Sequence, residues 1–336
     1  MKTDKILLDH GSGGRASHKL IAELILKYFN NPILGNLDDS ATFDIEAGRI
    51  AFSTDSYTVD PIFFPGGDIG ELAINGTVND LAMMGARPLY LSVGFILEEG
   101  FPIADLETIL NSMNEAATEA DVSIVTGDTK VVPIKAADKI FINTSGIGII
   151  PDGVDISGKN AKPGDKIIIS GTIADHGVTI LIQREGLKFD SPLKSDTTPL
   201  NHLVAEMIAT GDQIHVLRDP TRGGVATSLN EIAQQSNVGI TLYEEKVLVR
   251  DEVSGACELL GLDPLYIANE GNLLAFVNPQ QADILLEVMQ KNKYAKQACV
   301  IGEVTNENPG KVLLKTSIGG TRIVDMLTGE QLPRIC

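Results

Sequence analysis

Four aspartates stand where a carboxylate needs a partner to be tolerated: Asp39 in LDDSA, Asp55 in STDS, Asp80 in NDLAMMGA and Asp128 in TGDTK. Their neighbours are apolar, small or at strand edges. On a 3.6-residue period, Ile69, Leu72, Ala73, Gly76 and Met83 share one helical face, with Asp80 in its middle. A bare buried carboxylate is costly. Asp80 is therefore either a capping or hydrogen-bonding acid inside the fold, or a ligand. Four converging carboxylates would suit hard cations, and Mg²⁺ bridging phosphate oxygens is the natural case.

Other stretches carry chemistry of the same kind. In IVTGDTKVV the two-residue period of a strand places Thr126, Asp128 and Lys130 on one side, opposite Val125 and Val131. That is either a metal ligand beside an oxyanion contact or a surface ion pair. DPTRGG sets Asp219, Arg222 and two glycines at a helix start, which is an anion seat or an Asp-Pro turn with a cap. Glu270, just ahead of a strand in ANEGNLLAF, is a base or a solvated loop acid. Gly11, Ser12, Gly13 and Gly14 precede a helix, so backbone amides there can approach an anion closely, unless the segment is only a flexible arm. No Walker loop and no strand-borne G-x-G-x-x-G is present, and the five histidines lack H-x-x-x-H or H-E-x-x-H spacing.

Positioning these groups falls to an alternation of helices and strands. SHKLIAELILKYF reads as an amphipathic helix with Ser17 as N-cap. RIAFSTDSYTV and RPLYLSVGFIL are strand-like and flank a helix from about residue 68 to 85. A helix (IADLETILNSMNEAATEA) and two strands (DVSIVTGDTKVV, KIFINTSGIGII) complete a first half with helices on a sheet. PDGVDISGKNAKPG, rich in Gly, Pro, Asp and Asn, marks a domain boundary. The second half alternates strands and helices as a layered α/β domain does.

The totals narrow the function classes. At 336 residues two domains are expected. The chain is 43% hydrophobic but only 5% aromatic, so its core is aliphatic. Acidic residues number 45 against 27 basic, a net charge of −18 that repels nucleic acid and anionic membranes. Cys257, Cys299 and Cys336 form no C-x-x-C pair, which points to a reducing cytosol. Neither a signal peptide nor a membrane-spanning run is evident, so a soluble, cytoplasmic protein is expected.

Taken in order, HGSGG, LDDSA, STDS, NGTVNDLAMMGARP, TGDTKV, DPTRGG and NEG resemble the superfamily of aminoimidazole ribonucleotide synthetase, which includes selenophosphate synthetase and thiamine monophosphate kinase. The ending PRIC is similar to one branch, the carbamoyl dehydratases of NiFe-hydrogenase maturation. The resemblance implies an α/β (α+β) two-domain fold. Residues 1–155 would bind ATP and pair with a second copy through a barrel-like sheet, 156–325 would form the layered α/β domain, and 326–336 would be a mobile tail. It also implies that Gly11, Ser12, Gly13 and Gly14 lie over the ATP phosphates and that Asp39, Asp55, Asp80 and Asp128 hold Mg²⁺. Lys130 would contact the phosphate or the reacting group, and Glu270 would abstract protons. Asp219 matches a position that faces the site in some relatives.

The final thiol, Cys336, fits neither prenylation, which needs three residues beyond the cysteine, nor a structural zinc site. The adjacent α-carboxylate disfavours a second negative charge and weakens the unaided nucleophile, although Arg334 offsets part of this. An outside enzyme must then deliver an activated group. The resemblance names that donor as a HypF carbamoyltransferase, which makes a thiocarboxamide. ATP-driven loss of water would leave a thiocyanate, a cyanide donor for iron held by a HypC–HypD complex. The ten residues beyond Met326 could extend about 33 Å, enough to carry the sulfur into a nucleotide site and out to partners. Two other functions remain open at this point: an enzyme of the same superfamily acting on a free small molecule, and a non-catalytic nucleotide-sensing scaffold.

Overall fold

The computed structural model describes residues 4–11, 15–34, 48–186, 193–211 and 213–326. After a short 3-10 turn (Leu8–Gly11), the chain forms helices α1 (Arg15–Leu20) and α2 (Leu26–Phe29), joined by a wider π turn (Ile21–Ile25). The expected helix is present. It begins at Arg15, however, so Ser17 lies inside it and is not its cap.

The first sheet contains β1 (Arg49–Tyr57), β4 (Arg87–Glu98), β5 (Ser123–Val132) and β6 (Ile140–Ile150), in the order β1-β6-β4-β5. A small ribbon, β2 (Phe63–Phe64) with β3 (Gly67–Asp68), leads into α3 (Ile69–Met83). Helix α4 (Ile103–Glu119) makes the crossover between the parallel pair β4 and β5. The start of α3 is fixed by Asp68, whose Oδ1 accepts the N–H groups of Gly70 (2.7 Å) and Glu71 (3.1 Å).

The second sheet has seven strands in the order β13-β12-β9-β11-β7-β10-β8. These are β7 (Lys166–Ile169), β8 (Ile214–Arg218), β9 (Gly239–Tyr243), β10 (Leu274–Val277), β11 (Cys299–Thr305), β12 (Val312–Lys315) and β13 (Thr321–Val324). Among the described residues of this sheet, only β9 and β12 pair in parallel. Helices α6 (Asn201–Ile208) and α9 (Ala282–Lys291) pack on one of its faces and α7 (Gly224–Gln235) on the other, while α5 (Asp175–Glu185) and α8 (Asp251–Leu260) pack on each other and join the core of the first sheet. The fold is α/β (α+β), as the sequence implies. No helix among the described residues is long and apolar enough to cross a membrane.

Helix α3 sits between the two sheets, touching β1 and β6 on one side and α6 and β8 on the other. Its residues Ala82 and Met83 share a cluster with Leu203, Met207, Ile168 and Leu217. This corrects the amphipathic expectation. Packing on two sides buries α3 almost all round, and Asp80 is half-buried at its rim instead of centred in a single apolar face. The face pattern of β5 is also modified: register shifts between Leu91 and Ser92 of β4, which leaves Val125 as an extra residue, and Ile124 and Val125 are both buried.

Candidate active site

Along β1, Ala51, Ser53, Asp55 and Tyr57 are less exposed than their alternating neighbours, and α3 packs against this strand. Ser53 Oγ donates to Asp80 Oδ2 at 2.6 Å. From the second sheet, Arg222 Nη2 donates to Asp55 Oδ1 at 2.9 Å. The turn after β8 brings Asp219 into the same electrostatic neighbourhood. A cleft of about 650 Å³ lies here, with Phe52, Ser53, Asp80, Arg218, Asp219 and Glu231 in its lining.

Burial raises the Asp80 carboxyl above the usual carboxylate range; the Ser53 bond opposes this, the Asp55 charge adds to it, and Arg218 and Arg222 hold it down. Asp219 is pushed up to about 7 by burial first and by repulsion from Asp80 second. These crowded carboxylates are only partly offset by Arg218 and Arg222. They are hard oxygen donors of the kind Mg²⁺ takes, so the residues fit such an ion. Among the described residues, no group of three or more acids, histidines or cysteines is gathered closely enough to form a cation seat on its own.

This crowding has a consequence for stability. The folded value of Asp219 lies above its ordinary 3.8, so the group's stabilising contribution is full in acid, below that ordinary value, and is lost as pH rises through about 7. Asp219→Asn should raise the melting temperature by a few degrees at about pH 8 and hardly at all at about pH 4. Calorimetry at the two pH values checks this, and equal shifts at both would contradict it.

Asp128 and Lys130 lie elsewhere in the chain. Asp55 registers with Thr144, Thr144 with Val93 and Val93 with Gly127, so β1 and β5 are three strand steps apart, roughly 14 Å. Asp128 registers with Gly94 and Lys130 with Ile96, which places both on the opposite face of the sheet from Asp55. Lys130 Nζ pairs with Asp128 Oδ2 at 3.1 Å, with side chains 65% and 68% exposed. Within one chain the ion-pair reading of TGDTK is what the structure shows, and Asp128 does not join Asp55 and Asp80. Ser12, Gly13, Gly14, Asp39, Arg334 and Cys336 lie outside the described residues, and Gly11 ends the first 3-10 turn.

Glu270 is 7% exposed and does not fit the solvated-acid reading. It sits in a bend, and the strand begins only at Leu274. DPTRGG opens α7 through Gly223, which has φ +68° and no side-chain cap, so Asp219 does not serve as the cap. Gly224, at φ +62°, permits a close approach that a Cβ would prevent, 2.6 Å from the carbonyl oxygens of Leu265 and Ile267. Sequence reading missed three polar residues that organise the site: Ser53, Asn79 and Asp196. Ser53 stands two residues before Asp55, so strand periodicity could have found it. Asn79 is next to Asp80. Asp196 gives no local signal.

Residues 37–150 match the model of AIR synthase related protein, N-terminal domain, and residues 162–315 match that of AIR synthase related protein, C-terminal domain. The carbamoyl dehydratase HypE of Azotobacter vinelandii is 52% identical over 336 residues, covering 100% of this chain and 98% of that protein. The chain belongs to the HypE family of AIR synthase related proteins. A crystal structure of the hydrogenase maturation protein HypE in complex with ATP superposes on it with a TM-score of 0.95 at 54% identity, covering 98% of this chain and 99% of that one. A chain from a crystal structure of a HypE–HypF complex gives 0.81 at 51% identity, covering 92% and 99%. The HypE likeness thus takes in both sheets and the cleft between them.

Proposed function

We propose that this HypE-family chain is an ATP-dependent carbamoyl dehydratase whose substrate is the S-carboxamide on its own Cys336, and that it supplies cyanide ligands for hydrogenase iron. The observation that carries the proposal is the acid-crowded cleft where β1, α3 and the end of β8 meet, in a chain similar over its whole length to carbamoyl dehydratase HypE. A free small-molecule substrate is not favoured, because full-length likeness at about half identity lies with the dehydratases.

The chemistry needs an oxygen to leave from S–C(=O)NH₂. Bound ATP supplies the means, by turning that oxygen into part of a phosphate leaving group. In balance, thiocarboxamide and ATP give thiocyanate, ADP and phosphate. Asp55 and Asp80, with Asp39, would hold Mg²⁺, Asp128 and Lys130 would join the site from a second copy, and Gly11 to Gly14 would lie against the phosphates. Lys130 steadies negative charge as it develops, and Glu270 takes protons from the carboxamide nitrogen.

Residues 1–155 are assigned to nucleotide binding and pairing, 156–325 to the second domain, and 326–336 to delivery of the sulfur. A homodimer is supported by the open face of the first sheet. There Ile50, Phe52 and Ile96 are 48%, 71% and 42% exposed, on the same face as Asp128 and Lys130. A second copy covering this face would enclose groups that one chain leaves in solvent. Carbamoyl transfer from a HypF-type protein fits the likeness to the HypE–HypF complex, and a HypC–HypD complex would take the cyanide in the cytoplasm.

Phosphate release from ATP tests this reading. It should follow prior carbamoylation of Cys336 and be absent from the unloaded chain. Equal release without loading, or release driven by thiamine monophosphate or selenide, would contradict it.

A further inference from the structure

The bend that carries Glu270 has no strand ladder to hold it, so side chains from other segments fix its backbone. Asp196 Oδ1 accepts the Glu270 N–H at 3.2 Å. Its Oδ2 accepts the Gly271 N–H at 3.1 Å and Asn272 Nδ2 at 2.9 Å. On the other side, Asn79 Nδ2 donates to the carbonyls of Glu270 (3.3 Å) and Thr198 (3.0 Å), while its Oδ1 accepts the Leu200 N–H at 2.8 Å. Asn79 immediately precedes Asp80. One turn of α3 therefore carries Asp80 and also fastens both the Glu270 bend and the 196–200 segment.

A third tie runs to the Asp219 turn. The Pro220 carbonyl accepts the Asn269 N–H at 3.2 Å and Asn269 Nδ2 at 3.0 Å. Gly271 suits this arrangement because a Cβ there would stand 1.6 Å from the Asp196 carbonyl oxygen. Hydrogen bonds to an ionised carboxylate are about twice as strong as neutral ones. Burial raises Asp196 to about 6, the Asp175 charge adds to this, and the Glu270 and Gly271 amides pull it down. Near neutral pH the carboxylate is therefore the acceptor that all three donors require.

We infer that Asp196 is a positioning residue that, together with Asn79, locks the Glu270 backbone in register with the Asp80 turn of α3 and so aims Glu270 at the reacting group. The inference rests on the proposed role of Glu270 as the proton acceptor. Asp196 itself touches no reactant and acts only through Glu270. A purely structural Asp196 would lower stability and leave turnover per folded molecule unchanged.

The test is a double-mutant cycle on the full chain loaded at Cys336, with kcat, the KM for ATP and the melting temperature measured for each variant. Asp196→Asn puts an amide where donors need an acceptor, and kcat should fall roughly 10- to 100-fold with the KM for ATP changed less than about threefold. In the Glu270→Gln background the same substitution should cost almost nothing further, because the two act as a unit. Full turnover of Asp196→Asn, or a loss that multiplies that of Glu270→Gln, would overturn the inference. If Asp196→Asn does not fold, Asn79→Ala run through the same cycle decides by the same criteria. Full turnover of Glu270→Gln would instead remove the base assignment, and the inference with it.

Discussion

Asp80→Asn should lower ATP-dependent dehydration by about 100- to 1,000-fold while Cys336 still accepts a carbamoyl group. The substitution is nearly isosteric and keeps an oxygen for Ser53, so the fold should survive. It removes the charge in the middle of the crowded acids, which adds to the effect of burial in raising Asp219 and itself feels Asp55. Because burial and repulsion already strain this charge, losing it should leave the melting temperature unchanged or slightly higher. Loss of turnover without loss of stability is the signature of a functional carboxylate. Assays of thiocyanate formation paired with melting curves check it, and full turnover would mean that the acid cluster is not the nucleotide-cation site.

The second large effect concerns the sulfur. Cys336→Ala should abolish thiocyanate formation completely, because neither thiol among the described residues can stand in for it. Cys257 is buried and its thiol is pushed up to about 11, chiefly by burial. Cys299 is also raised by burial, and its Sγ–H donates to the Lys246 carbonyl at 3.3 Å. A thiol held protonated is a poor acceptor for a carbamoyl group. Peptide mapping after incubation with a HypF-type carbamoyltransferase should find the modification at Cys336 alone. Modification of Cys257 or Cys299 with retained cyanide supply would place the chemistry elsewhere.

Local signals carried much of the fold. Runs of β-branched, aromatic and leucine residues, such as those of β1, β4 and β6, read as strands, and Asp68 with its following apolar period read as the start of α3. The relation between Asp55 and Asp80 was partly legible, because each stands out against its neighbours. What stayed hidden depends on contacts distant in sequence. The burial of α3 on two sides follows from a second sheet whose strands lie more than about 80 residues away, and no single-helix period encodes it. The outward facing of Asp128 and Lys130 depends on β5 pairing parallel to β4, with one extra residue at Val125. Asp196 lies in the KSDTTP stretch, where an acid is unremarkable, and its role emerges only when the Glu270 bend closes on it. Arg222 was visible as an anion contact, yet its observed partner is a carboxylate on the other sheet.

The most direct measurement is the intact mass of the full chain, first carbamoylated at Cys336 and then incubated with Mg²⁺ and ATP or with Mg²⁺ alone. With ATP, the loaded chain should lose the mass of one water while one phosphate is released per chain. Without ATP its mass should not change. Water loss without ATP, or ATP cleavage that leaves the carboxamide intact, would contradict a dehydratase that works on its own sulfur.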